Sequence, residues 1–294
     1  MRPPRIGLAL WFVLLGAVEV VAFWLVWRFF VQTRHGQLLD TIALAGNLIG
    51  RARVQNRADV VLNTISAVSL AGATAAVCFI ALARRRIALA VGAVLLVAGA
   101  NVTTQVVKQM LVRPDLGVDP ARAAVGNTLP SGHTTVAASV AVALVLVLPA
   151  RLRGVAGLLG AMATAGVAVG TLSAGWHRPS DAVAALLVVG GWACAAALFV
   201  VLAQRRDDAV DAGPSHGYVV VTLVVAGLML LLGAALALAV TNQVLATPTA
   251  QLSRSRLFAA YAGGAMGIAG TAGLVLASVL ATVHRVAPQA VPPD

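Results

Sequence analysis

Three short polar clusters interrupt a chain that is otherwise apolar, and each carries side chains able to handle a phosphoryl group. The first, "KQMLVRPD" at residues 108–115, holds Lys108, the single lysine of the chain, and Arg113. The second, "PSGH" at 130–133, opens a hydrophobic run with Ser131, Gly132 and His133. The third, "GWHRPSD" at 175–181, sets His177 four residues before Asp181, with Arg178 and Pro179 between. A helix that starts at "PSGH" offers unpaired N–H groups and the positive end of its dipole to an anion. The Ser131 hydroxyl adds to them, and Gly132 lets the backbone approach closely. An aspartate one helical turn from a histidine can accept from one imidazole nitrogen and leave the other as a nucleophile. Lys108 and Arg113 supply positive charge for phosphoryl oxygens. Two histidines, a carboxylate and a cationic cradle suit phosphoryl transfer.

The elements that must position these clusters are membrane helices. Sixty per cent of the 294 residues are hydrophobic, 11% are charged, and the mean hydropathy is +0.92. A soluble fold of this size could not hide so much apolar surface. The formal charge of +11 comes from arginines set between apolar runs, which speaks for topology and anionic lipid and against nucleic acid. Cys78 and Cys194 each lie inside an apolar run and form neither a disulfide framework nor a zinc pattern. No His/Cys/Asp cluster has metal-ligand spacing, so neither a metal nor another cofactor is expected.

Eight spans are predicted, at about 6–27, 60–83, 87–111, 132–149, 154–175, 181–203, 217–241 and 256–283. A short amphipathic helix in "LLDTIALAGNLIG" is expected to lie at the interface, with Arg51, Arg53 and Arg57 near headgroups. The fold class is thus all-α, a polytopic bundle. Its parts are an N-terminal span and extracytoplasmic loop (1–59), a helical core (60–203) and two further C-terminal spans (204–294). Short basic loops at 83–87, 150–154 and 203–208 fall on one side with Arg2 and Arg5, which makes that side cytoplasmic. Both termini are then cytoplasmic, and the three polar clusters converge at the extracytoplasmic rim of what we expect to be a bacterial plasma-membrane protein.

Other features have plainer readings. Glu19, the only glutamate, sits mid-span and should face the bundle interior. The pairs Gly166/Gly170 and Gly263/Gly267 are spaced for close helix packing. Asn101, Thr103, Thr104 and Gln105 are read as helix-to-helix hydrogen-bonding residues, with lining of the site as the alternative. Trp176 reads as an interfacial anchor and His35, His216 and His284 as structural.

The three clusters, in this order, resemble the type 2 phosphatidic acid phosphatase family, related to vanadium-dependent haloperoxidases. The family pattern is Lys, six residues, Arg-Pro; then Pro-Ser-Gly-His; then Ser-Arg, five residues, His, three residues, Asp. "PSGH" matches fully and His177 with Asp181 matches the end of the third motif; the likeness runs from about residue 60 to 203. The resemblance implies that His177 attacks phosphorus, Asp181 orients it and His133 protonates the leaving oxygen. It also implies that Lys108, Arg113, Ser131 and the Gly132 amide hold the phosphate without a metal. Two positions depart from the pattern. Only four residues separate Lys108 from Arg113, and Thr171 stands where the third-motif arginine belongs. Arg178, Arg113 or Arg122 could replace that cation in space. The expected activity is hydrolysis of a polyprenyl or phosphatidyl (di)phosphate, with a membrane lipid as substrate. The alternatives are a phosphoryl transferase of the same fold and a non-catalytic lipid-binding scaffold.

Overall fold

The computed structural model describes residues 5–49, 67–83, 86–118, 127–203 and 215–286. Arg122, the arginines at 51–57 and the loops 84–85 and 204–214, on which part of the topology reading rests, lie outside the described residues. Among the described residues nine α-helices follow in order: α1 (Arg5–Val26), α2 (Arg34–Ala45), α3 (Ala67–Ala83), α4 (Ile87–Met110), α5 (Gly132–Val147), α6 (Ala150–Ser173), α7 (Pro179–Ala203), α8 (Gly217–Asn242) and α9 (Arg254–Val286). There is no strand among the described residues. The protein is an all-α polytopic membrane bundle. Six helices (α1, α4, α6, α7, α8 and α9) are long and apolar enough to cross a bilayer. Each of the eight predicted spans corresponds to a helix, and the described parts of α3 and α5 are shorter, at 17 and 16 residues.

Helix α7 is the axis of the bundle. Leu186, Val189, Ala193, Ala196 and Val200 are buried in the main core, and α1, α4, α5 and α9 all pack on this helix. Its sequence shows no polar stripe because every face meets either protein or lipid, which removes the amphipathic pattern of a soluble helix. By contrast α1 and α8 turn large side chains such as Leu14, Trp24, Met229 and Leu232 outward, as lipid-facing helices do.

Helix–helix approach follows small residues. A Cβ on Gly263 would lie 2.4 Å from that of Ala237, and one on Gly270 would lie 2.8 Å from the Gly227 carbonyl, so α8 and α9 are in backbone contact. The pair Gly166/Gly170 is different: a Cβ at either position meets nothing within 4 Å. Among the described residues no helix packs closely on either glycine, in contrast to the expectation from their spacing.

Helix α5 is about 24 Å long at 1.5 Å per residue, shorter than a hydrocarbon core of about 30 Å. Ser131, at its start, is fully buried. The short helix α2 is where the amphipathic pattern put it. It does not lie open on a surface, however: its residues from Leu39 to Ala45 are all buried, Ile42 and Ala43 against Ala260 of α9.

A candidate phosphoryl site at the start of α5 and α7

Ser131 is the N-cap of α5. Its backbone is extended, and its Oγ accepts from the Thr134 N–H at 3.4 Å and from the Thr134 hydroxyl at 3.0 Å. The Ser131 N–H donates to the Asp181 carbonyl at 2.9 Å, which ties the start of α5 to the start of α7. Asn127 ties the same segment to the end of α4: its amide donates to the carbonyls of Lys108 (3.3 Å) and Leu129 (2.9 Å). Lys108, in the last turn of α4, is thereby held beside "PSGH". A Cβ on Gly132 would meet Gln105 Nε2 alone, at 3.6 Å. Asn101 and Thr104 bond across to Ser139 and Thr135, and Thr103 accepts from Trp192, so of those four polar residues only Gln105 borders the site.

The turn between α6 and α7 places His177. Gly175 has φ +78°, a left-handed conformation that glycine adopts without a Cβ clash. The chain then folds back, so that the Thr171 carbonyl accepts from the N–H groups of Trp176 (3.0 Å) and His177 (3.3 Å). Thr171 is fully buried and its hydroxyl bonds Ala168 of its own helix. Where the resemblance calls for an arginine, this residue anchors the turn.

His177 Nδ1 lies 3.4 Å from Asp181 Oδ2. The same oxygen accepts from the Thr128 hydroxyl at 2.6 Å and from the Arg178 N–H at 2.9 Å. With two donors already on that oxygen, Nδ1–H is the tautomer that fits, and Nε2 keeps its lone pair. The ring centroids of His133 and His177 are 6.4 Å apart, and Trp176 packs against His133 at 5.3 Å. Trp176 thus braces a site histidine.

Two arginines complete the arrangement. Arg178 is only 5% exposed and its Nη1 donates to Thr128 at 3.2 Å, so it is no headgroup anchor. Burial, and then the neighbouring Arg113 charge, lower its pKa from the ordinary value. The Arg113 side chain is buried too, with its Nη2 3.7 Å from Asp40 Oδ2. The Nε of both arginines and the Nη2 of Arg113 are buried and make no hydrogen bond. Glu19 packs against Gly190, halfway along α7, and does not join the site. Among the described residues no three His, Cys, Asp or Glu side chains are grouped to hold a metal ion.

All the residues expected from the sequence (Lys108, Arg113, Ser131, Gly132, His133, His177, Arg178 and Asp181) gather at this rim, Arg113 through its ion pair with Asp40, which is bonded to Ser180. Sequence reasoning missed Asn127, Thr128 and Asp40. The first two stand directly before "PSGH", where a run of hydrogen-bonding residues was a readable signal. Asp40 interrupts the apolar face of α2 between Leu39 and Ile42, and that misplacement was the signal for it.

No curated protein and no solved structure matches the chain. Residues 87–207 match the family model described as the PAP2 superfamily, which leaves α3 outside although the resemblance had been drawn from about residue 60. That segment carries every side chain of the site apart from Asp40, and its match supports the likeness to the type 2 phosphatidic acid phosphatase family, whose members are phosphatases.

Proposed function

We propose that the protein hydrolyses a membrane lipid phosphate or diphosphate, a polyprenyl or phosphatidyl one, by way of a phosphohistidine on His177. The observation that carries this reading is the His177–Asp181 pair facing His133 beside two buried arginines with unfilled donors. His177 Nε2 attacks phosphorus as the bond from phosphorus to the leaving oxygen breaks, and His133 gives that oxygen its proton. Water then attacks the phosphohistidine, His133 takes the proton of the water, and inorganic phosphate leaves. Lys108, Arg113, Arg178, Ser131 and the Gly132 N–H spread the charge of the transferring group. These cations do the work a metal would otherwise do, so a chelator leaves turnover unchanged.

A lipid substrate is supported by a cavity of about 430 Å³ between α1, α4 and α7. Its walls include Phe12, Phe23, Leu187 and Trp192, and it reaches Val107, the neighbour of Lys108. An apolar chain laid there brings its phosphate to the lysine. The site is read as extracytoplasmic and both termini as cytoplasmic, a reading that the short arginine-rich loops support.

Purified protein assayed for phosphate release against a panel of lipid phosphates and diphosphates tests the reaction. Release from at least one lipid, lost in His177→Ala, is expected. Equal rates in the two proteins would end this reading. Cysteine labelling in intact cells tests sidedness: a single cysteine at position 117, next to Arg113, should label from outside and one at position 215 should not.

A further inference from the structure

Among the described residues, Asp40 is the one charged side chain of the site that comes from outside the matched segment, and it is 1% exposed. Its Oδ1 accepts from the Ser180 N–H at 3.2 Å and its Oδ2 from the Ser180 hydroxyl. Both oxygens are therefore occupied by the first turn of α7, where a carboxylate is favoured by the helix dipole. Arg113 reaches Oδ2 from the other side, but at 3.7 Å it makes an ion pair and no hydrogen bond. The backbone around Arg113 is held by the same stretch of chain. Gln32 donates to the Val112 carbonyl at 3.2 Å, and Gln37 donates to the Pro114 carbonyl at 3.0 Å and to that of Val31 at 2.8 Å.

A buried guanidinium with unfilled donors is costly unless an anion satisfies them. Asp40 does not do so: α7 holds it through Ser180 with Oδ2 3.7 Å from Arg113 Nη2, beyond hydrogen-bond reach. It can fix where Arg113 sits while leaving N–H groups over. Arg178 presents the same condition, with Nη1 on Thr128 and Nε unfilled. The two guanidiniums feel each other's charge, and Asp40 acts on both.

We propose that Asp40 is a positioning residue which holds Arg113 against the start of α7, so that Arg113 and Arg178 together clamp the phosphoryl group in place of the cation lost at Thr171. The inference rests on the phosphatase reading for its ligand, a tetrahedral phosphate oxyanion. It adds that the segment from Gln32 to Asp40 is a working part of the site.

The test is the affinity of the full-length protein for inorganic phosphate, measured by titration in detergent, with KM and kcat recorded on whichever lipid phosphate the wild type hydrolyses. Asp40→Asn should weaken phosphate binding about tenfold and raise KM more than it lowers kcat. In an Arg113→Ala background the same change should cost less than twofold, since its target is gone. Arg113→Lys keeps the charge and loses the fork, so it should also weaken binding about tenfold while the unfolding temperature stays within a few degrees. Tighter phosphate binding in Asp40→Asn would show that Asp40 merely competes with the anion, and would overturn the proposal. An equal effect with and without Arg113, or wild-type binding in Arg113→Lys, would overturn it too. The titration reads the clamp whether or not a lipid is turned over, so failure of lipid hydrolysis in the wild type would count against the phosphatase reading alone.

Discussion

At its first residue α5 offers N–H groups to a rim that holds His133, His177 and the buried arginines 113 and 178. At its far end the carbonyl of Leu148 accepts from Arg153 Nε at 3.1 Å, and the carbonyl of Ala150, at the start of α6, is bonded by His216 at 2.6 Å. Both rims bury arginine next to histidine, yet the electrostatics run in opposite senses. A cation at a helix C-terminus completes the hydrogen bonding of the helix and suits its dipole. Arginines beside the N-termini of α5 and α7 do neither. Their charges oppose those dipoles, and their spare donors have no acceptor among the described residues. The Arg153 end is built for the helix, and the Arg178 end makes sense once an oxyanion is added.

The contrast can be broken most severely at His177. His177→Ala should abolish turnover, since no phosphohistidine can form, and His133→Ala should slow it by about 10²–10⁴, the range for a positioned acid. The His133 loss should shrink with an activated leaving group, which needs no proton; single-turnover assays on paired substrates check this.

Next come the cations. Arg178→Ala and Lys108→Ala should each lower kcat/KM by about 10²-fold, as removal of a charge-stabilising donor does. If Arg178→Ala is silent while Lys108→Ala is not, Arg178 does not replace the cation missing at Thr171. At the other rim Arg153→Ala should leave kcat and KM unchanged. It should cost about 1–3 kcal/mol of stability, because the substitution removes a fully buried side chain and the Leu148 hydrogen bond. Thermal unfolding beside steady-state kinetics separates the two rims.

The smallest effect concerns pH. Burial pushes the Asp40 carboxyl up to about 6, with Arg113 acting in the opposite direction, against about 3.9 in an unfolded chain. The folded state therefore binds more protons between those values, and stability falls as pH rises through that window. Unfolding temperatures followed from pH 4 to 7 should decline less in Asp40→Asn than in the wild type. Parallel curves would show that Asp40 ionises alike in both states.

Much of this was legible in the sequence, because membrane helices announce themselves by length and the site residues by type. "PSGH" and the His177–Asp181 spacing named the candidate reacting groups, and their positions at helix starts implied one shared rim. The roles of the arginines were harder to see. Arg178 could have been a headgroup anchor until its burial and its bond to Thr128 were seen. Asp40 was hidden for another reason. It lies 140 residues from Ser180, and no local period carries information about a contact made across the bundle. Gly166 and Gly170 failed in the converse way: a motif can state that a helix is able to pack closely, while the partner is chosen by the rest of the fold.

The burial of α2 has a consequence for how the chain is made. This helix leaves the ribosome well before its cover, α9. Asp40 has to wait for both Arg113 and Ser180. A truncated protein ending after α7 would contain every reacting group and still lack the lid that keeps α2 in its seat. We expect such a fragment to insert into the membrane and to bind phosphate poorly, so that the site matures only when the hairpin of α8 and α9 has joined it.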